Sequence, residues 1–310
     1  MTDSSADRES LARTVVGPGR CAGTRREWGV PELPELEALA ESLQTTRGRV
    51  IAAVEVRSPS VLKTYAPPLD ALVGDAIEQV RRRGKWLLLG TRADRTLAIH
   101  LHIGGRLRRA DAAAKVTRAD ALILRFADGT DLRLAEIVAK KRSAAHFVDG
   151  DGSVLVSQLG PEPLDPEFGV ECLAAALASH SGQIKTVLTD QQALAGLGNA
   201  WSNEVLHAAG VSPLLPAARL TSEQVSALHA ALRECLAAGI ALARDDNYLE
   251  KLKPDRRAYL RVHRRQGEPC FVCRASLAAI HFGERVTTYC PTCQSAGRVY
   301  ADRRLSRLLK

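Results

Sequence analysis

The spacing Cys270-x2-Cys273-x16-Cys290-x2-Cys293 limits what this chain can fold into more than any other feature. A Cys-x-x-Cys turn bends back so that both thiolates reach one metal ion. Two such turns at the ends of a hairpin complete a four-sulfur tetrahedral shell. With every position taken by protein, the spacing predicts one structural Zn2+ on Cys270, Cys273, Cys290 and Cys293. The segment around it is too small for a core of its own, so its folding and its metal binding are one event. A redox dithiol and a chance repeat are the alternatives, and the correct spacing of both pairs favours zinc. The other cysteines, Cys21, Cys172 and Cys235, are scattered. A secreted disulfide framework would not look like this, and a reducing compartment fits better.

Charge is concentrated around the same segment. Residues 251–310 hold 14 Lys or Arg against 4 Asp or Glu, a net +10, whereas the whole chain is only +8. Residues 1–250 therefore sum to −2. A basic end on a near-neutral body reads as a footprint for a polyanion, with a solvated basic tail as the bland alternative. Arg285 lies between the cysteine pairs, in Gly283-Glu284-Arg285-Val286-Thr287-Thr288-Tyr289. Its guanidinium fork suits a phosphate; otherwise it is a solvated tip charge.

With 310 residues, 45% of them apolar, the chain can build two domains with real cores. No apolar run approaches a bilayer span, and no secretory signal opens the chain. A cytoplasmic protein without a membrane partner is the simplest expectation. Residues 1–29 are polar and aperiodic and are expected to be disordered. Leu36, Leu39, Ala40 and Leu43 share one helix face. Strands are expected at 50–56, 86–89 and 97–101, and Asp128-Gly129 marks a hairpin between 122–126 and 132–134. The first domain is thus mainly β, opened by one helix. Three prolines in Gly160-Pro161-Glu162-Pro163-Leu164-Asp165-Pro166 mark an interdomain connection. Helices follow near 184–192 and 201–209, separated by the tight turn Gly196-Leu197-Gly198-Asn199. A longer helix runs to about 244 from the capping box Thr221-Ser222-Glu223-Gln224, with Leu220 and Val225 as its staple.

Several separated motifs resemble one family, the formamidopyrimidine-DNA glycosylases and endonucleases VIII. Pro31-Glu32-Leu33-Pro34-Glu35 is similar to the family's amino terminus. Leu159-Gly160-Pro161-Glu162-Pro163-Leu164 is similar to its interdomain stretch. Gly196-Leu197-Gly198-Asn199, followed by Ser202-Asn203-Glu204, resembles its helix–two-turn–helix. Gly267-Glu268-Pro269-Cys270 through Tyr289-Cys290-Pro291-Thr292-Cys293-Gln294 resembles its zinc finger. The resemblance runs in order from Pro31 to Gln294. It implies an α+β fold of two domains: an N-terminal β-sandwich with an opening helix, and a helical domain ending in a β-hairpin zinc finger. The expected divisions are an extension or misassigned start (1–29), the catalytic sandwich (31–149), a linker (150–169), the helix–two-turn–helix domain (170–262), the finger (263–298) and a basic tail (299–310).

The resemblance also implies a bifunctional DNA glycosylase and abasic-site lyase of base-excision repair. It acts as a monomer on duplex DNA carrying oxidised bases or abasic sites, in a bacterial cytoplasm at the nucleoid. Pro31 corresponds to the nucleophile, whose secondary amine forms a Schiff base with C1′ of an extruded nucleotide. A free α-amine titrates near ~8 against ~10.4 for lysine, so more of it is neutral. Glu32 corresponds to the acid at the ribose ring oxygen; by its position alone it would be a first-turn glutamate on the helix dipole. Glu35 supports the site or caps the same helix. Lys85, in Arg82-Arg83-Gly84-Lys85-Trp86, corresponds to a hairpin lysine on phosphate and in proton transfer. Asn199 and Arg285 correspond to a phosphate-holding pair, Arg285 also serving the second elimination. Lys185 is counted with Asn199, Lys85 and Arg285 as DNA-binding.

Some residues depart from the family pattern. Glu136-Ile137-Val138-Ala139-Lys140-Lys141-Arg142 stands where a Pro-Arg-Arg-Phe-Gly loop is usual, and Ile103 replaces another void-filling residue. Residues 247–261 look short for the loop that covers an oxidised purine. Arg83-Gly84-Lys85 leans towards endonuclease VIII. These leave open the lesion, the opposite base and whether one or two eliminations occur. Pro31 also follows Val30 in amide linkage, and an amide nitrogen cannot form an iminium. A GTG start codon read as Val30 would resolve this, with removal of the initiating methionine exposing Pro31. A DNA-binding protein without catalysis, or a zinc-ribbon module for protein partners, are the competing readings.

Overall fold

The computed structural model describes residues 30–245, 249, 260–282 and 285–300. The expected extension 1–29, most of the shortened 247–261 loop, Gly283-Glu284 and most of the basic tail lie outside the described residues. Helix α1 (Leu33–Leu43) opens the described chain with Pro34 in its first turn, where a missing N–H costs nothing. Its apolar stripe serves two cores. Leu36, Leu39 and Leu43 enter the core of the β domain, whereas Leu33 belongs to the core of the helical domain. One helix therefore fastens both halves at the point where Pro31 enters.

Eight strands form the β domain: β1 (Ile51–Val56), β2 (Ile77–Arg83), β3 (Trp86–Thr91), β4 (Arg95–His100), β5 (Gly105–Asp111), β6 (Asp120–Phe126), β7 (Thr130–Glu136) and β8 (Ala144–Asp149). They make two antiparallel sheets, ordered β1-β6-β7-β5 and β2-β3-β4-β8. Their inner faces close over one apolar cluster that includes Leu87, Leu97, Leu122, Leu134 and Phe147. The expected Asp128-Gly129 hairpin joins β6 to β7. Gly129 sits at φ 81°, and Leu122 pairs with Leu134 and Leu124 with Leu132. Strand β2 carries Glu78-Gln79-Val80-Arg81-Arg82-Arg83 and has no apolar run. It is a strand because β3 offers it a ladder and because its arginines find acceptors.

After the short α2 (Ser153–Val156), the helical domain comprises α3 (Val170–Ala178), α4 (Ile184–Thr189), α5 (Asn199–Ala208) and α6 (Ser222–Asp245). The Thr221–Gln224 capping box forms in both directions. Gln224 N–H donates to Thr221 Oγ1 at 3.3 Å, and Thr221 N–H to Gln224 Oε1 at 3.1 Å. Helix α6 is long and apolar enough to cross a bilayer by length and composition, which the sequence reading did not anticipate. Here it packs against α1, α3 and α5, burying Leu228, Leu232 and Leu236. Gly239 on α6 faces the Trp201 ring, which a Cβ there would meet at 2.2 Å. The finger follows with β9 (Ala278–Phe282), β10 (Arg285–Tyr289) and α7 (Pro291–Ser295).

Candidate active site and zinc centre

Pro31 is buried and leads directly into Glu32, the N-cap of α1, which shares a capping box with Glu35. Glu35 Oε2 accepts from Glu32 N–H at 2.8 Å, and its Oε1 from the Trp201 indole N–H at 3.1 Å. The Glu32 side chain reaches beyond its own helix. Its carboxylate, in a residue only 3% exposed, accepts from the N–H groups of Gly198 at 2.8 Å, Ala200 at 2.9 Å and Trp201 at 3.1 Å. These are the orphan donors at the start of α5, where a negative charge is favoured. Glu32 thus caps α5 across the domain boundary, a correction to its reading as a glutamate serving the α1 dipole alone.

The Gly196-Leu197-Gly198-Asn199 turn explains itself at this contact. Gly196 has φ 89°, and a Cβ on it would strike Leu33 at 2.8 Å. A Cβ on Gly198 would lie 2.4 Å from the Glu32 carboxyl carbon. Leu33 N–H adds a bond to Gly196 O at 3.0 Å. The two glycines let the turn close over the residues that follow Pro31.

Asn199 begins α5, and its Nδ2 donates to Val286 O at 2.9 Å, next to Arg285. Arg285 is exposed at the start of β10, opposite Phe282. Lys185 is no surface cation: it is 7% exposed and donates to Asn203 Oδ1 at 2.6 Å, Thr287 Oγ1 at 2.9 Å and Val286 O at 3.3 Å. Burial pushes its ammonium down to about 7; the Glu32 charge opposes that drop and Arg285 adds to it. Pro31-Glu32, Lys185, Asn199 and the Arg285 hairpin therefore meet at one end of α5.

Lys85 comes from the β2–β3 hairpin, whose turn glycine, Gly84, has φ 55°. The hairpin is docked on the interdomain stretch. Arg83 donates to Leu159 O and Gly160 O, and Gly84 N–H to Glu162 at 3.0 Å. Arg82 is pinned between Glu37 and Glu162. Beside Lys85 lies an aromatic cluster that sequence reasoning missed. Trp86 meets His100 edge-on at 5.0 Å and His146 at 5.4 Å, and His102 lies 3.8 Å from His100. Burial, then the charges of His102, Lys85 and His146, push His100 down to about 3. His102 takes φ 47° beside Ile103, which is 37% exposed in the turn before β5. These residues are far apart in sequence, and only strand pairing collects them.

At the other end of the domain, Cys270 Sγ is 3.9 Å from Cys293 Sγ, and Cys273 Sγ is 3.4 Å from Cys290 Sγ. Zn–S bonds of about 2.3 Å at tetrahedral angles place sulfurs about 3.8 Å apart. Both pairings suit a structural zinc on the four thiols, with Cys273 reaching the group through Cys290. His207, at the end of α5, joins Cys270, Cys290 and Cys293 in a group whose ligand atoms lie within 4.8 Å of one another. No local pattern marked His207 as a neighbour of the cysteines. Glu204 is also new: its carboxylate accepts from the N–H groups of Arg261, Val262 and His263 at 2.7–3.0 Å, fixing the chain where it enters the finger.

Three family profiles match in the same order as these parts. The formamidopyrimidine-DNA glycosylase N-terminal domain matches residues 30–139, its H2TH domain 159–249, and the zinc finger found in FPG and IleRS 267–296. A formamidopyrimidine-DNA glycosylase of Chloroflexus aggregans is 38% identical over 283 residues, covering 86% of this chain and 98% of the relative. The chain belongs to the formamidopyrimidine-DNA glycosylase family. An uncharacterized formamidopyrimidine-DNA glycosylase-like protein of Mycobacterium tuberculosis is 43% identical over 152 residues, covering 49% of this chain and 94% of its own length. A mutant of the Lactococcus lactis enzyme, in complex with Fapy-dG-containing DNA, matches with TM-score 0.78 and 30% identity, covering 86% of this chain and 100% of that one. The Lactococcus lactis enzyme bound non-covalently to abasic-site DNA matches with TM-score 0.76 and 29% identity, covering 85% and 99%. The two-domain fold, the enzyme class of DNA glycosylase and one zinc-binding finger are those of this family.

Proposed function

We propose that the chain removes oxidised bases from duplex DNA through the amine of Pro31 and then cleaves the strand at the abasic site. The observation that carries this reading is the Glu32 carboxylate, set one residue after Pro31 and clamped by three N–H groups of the α5 terminus. A buried carboxylate held this way cannot swing, so it fixes the place where a sugar must sit against the Pro31 nitrogen. The amine attacks C1′ of an everted nucleotide, and the base departs with the electron pair of the C1′–N bond and takes a proton from solvent. The proton lost from the Pro31 nitrogen passes to Glu32 and on to the ring oxygen O4′, opening the sugar as an iminium. That cation acidifies C2′–H, whose loss expels the 3′ phosphate; loss of C4′–H can expel the 5′ phosphate.

Lys85 and Arg285 hold phosphates on either side of the lesion, and Asn199 steadies the Arg285 hairpin. Lys185, whose ammonium burial pushes down to about 7 against the opposing charge of Glu32, stands beside this pair. The finger's zinc supplies structure and no chemistry to the reaction. The enzyme works as a monomer on DNA in a bacterial cytoplasm, at the nucleoid.

The test is borohydride trapping on abasic DNA. A form beginning Met-Pro31, whose methionine is removed, is compared with the full chain. Only a free amine gives a reducible iminium, so the short form traps and cleaves whereas the full chain traps poorly. Equal trapping by both, with intact termini confirmed by mass spectrometry, would remove Pro31 from the role. A second reading rests on the Val30–Pro31 amide: with that bond intact the molecule is a damaged-DNA-binding protein without catalysis. Tight binding without trapping by the short form would favour it.

A further inference from the structure

Helix α5 brings a fifth donor to a metal position that takes four. His207 is 8% exposed, and its Nε2 stands 3.2 Å from Cys270 Sγ. The four sulfurs already pair off at 3.4 and 3.9 Å without it. We propose that His207 stays outside the zinc shell and donates its Nε2–H to the Cys270 thiolate, joining the metal centre to the helix that clamps Glu32.

The need for such a donor follows from charge. Four thiolates around one divalent ion carry excess negative charge, and Cys270 and Cys290 are 1% and 0% exposed. Water reaches only Cys273 and Cys293, so at Cys270 and Cys290 N–H groups must relieve that charge. Two backbone donors are in place: Val272 N–H towards Cys270 Sγ and Cys293 N–H towards Cys290 Sγ, both at 3.4 Å. His207 adds a shorter contact, from helix α5. A second tie runs alongside: Gln294 accepts from Cys290 N–H at 2.8 Å and donates to Val211 O at 2.8 Å, just beyond the end of α5. The first turn of the same helix gives its N–H groups to Glu32. Movement of the finger is therefore felt along one rigid rod, and His207 is a positioning residue for the metal rather than a ligand to it.

The test uses full-length zinc-loaded protein and reads the metal, not the reaction. His207→Phe fills the space without a donor, and His207→Gln returns an N–H at the same reach. Zinc transfer to a chromogenic chelator should speed up about 10- to 100-fold in His207→Phe and recover in large part in His207→Gln. With Co2+ in place of zinc, a hydrogen bond to sulfur lowers its lone-pair energy. The sulfur-to-cobalt charge-transfer band should then move to longer wavelength in His207→Phe and back in His207→Gln, with the four-sulfur ligand-field bands unchanged. Release rates and spectra in His207→Phe equal to those of the parent would overturn the proposal. So would a parent spectrum of three sulfurs and one nitrogen that changes on His207→Phe, because His207 would then be a ligand. If phenylalanine is not accommodated, His207→Leu takes its place and the same outcomes decide.

Discussion

Two hairpins present the cations assigned to DNA, and they rest on different supports. Lys85 follows the turn of β2–β3, rooted by Arg82 with its side chain 4% exposed between Glu37 and Glu162, on a domain with a large apolar core. Arg285 opens β10 in a finger whose own core is Val262, Leu277 and two of the cysteines. Its hairpin is steadied by Asn199 and Lys185 reaching across from the helical domain, and by the thiols below. Rigidity at a hairpin tip thus comes in one case from burial and ion pairing, and in the other from coordination and polar contacts with the helical bundle. The two should fail under different insults.

Removal of zinc should have the largest effect and should strike one hairpin only. The finger unfolds, and affinity for abasic duplex at low salt falls by more than any single substitution in it produces. The β-sandwich keeps its cooperative unfolding, followed by Trp86 fluorescence in a Trp28→Phe, Trp201→Phe background, since the chain has three tryptophans. Loss of both together, or unchanged DNA affinity in metal-free protein, would break the comparison. Glu162→Gln attacks the other support. It removes one carboxylate from Arg82 and leaves Glu37, which should cost about 1.5–3 kcal/mol in urea denaturation, the range for lost hydrogen bonds to a charged group. Zinc content should not change; a drop in it would show that the supports are linked.

Arg285→Ala should be milder. Losing a charge-assisted phosphate contact should weaken duplex binding by about 1–3 kcal/mol and reduce the salt slope by about 1. The urea midpoint should stay put, since the side chain is exposed. An affinity identical to the parent's at low salt would leave Arg285 a plain surface charge. The last test concerns Lys185, held at about 7 mainly by burial while an unfolded lysine titrates near ~10.4. Between those values the unfolded chain binds a proton that the folded chain does not. Stability should therefore rise with pH across that window and be flat, for this group, below it. Lys185→Met should remove that rise. Parallel urea midpoints for parent and variant from about pH 6 to pH 9 would mean that Lys185 titrates normally.

Much of the fold was legible because local chemistry and periodicity speak for themselves. The cysteine pairs, the Asp128-Gly129 turn, the stripe of α1 and the capping box of α6 each carry their own physical signal over a few residues. Strand β2 was not legible, since its arginines become strand residues only when Glu37, Glu162 and Leu159 come to meet them. Glu32 was read as a candidate acid from resemblance and as a helix-dipole glutamate from position. Neither reading contained its partners across the domain boundary, the N–H groups of Gly198, Ala200 and Trp201, which lie more than 160 residues away. Lys185 was expected as a DNA contact, and its chemistry is set by burial, which composition does not report.

The sequence by itself determined which groups this protein owns: a four-thiol metal set, a proline followed by a glutamate, two basic hairpin tips and a turn of paired glycines. The thiols are near neighbours along the chain, so their spacing alone constrains their geometry. Tertiary structure alone decided that Glu32 caps a second, distant helix, that His100 and His146 meet Trp86, and that His207 reaches Cys270. Those contacts join segments whose separation along the chain carries no directional information. The Glu32 contact exists because the first turn of α5 meets the start of the helix that both cores share, whereas pairing of β3, β4 and β8 gathers the histidines.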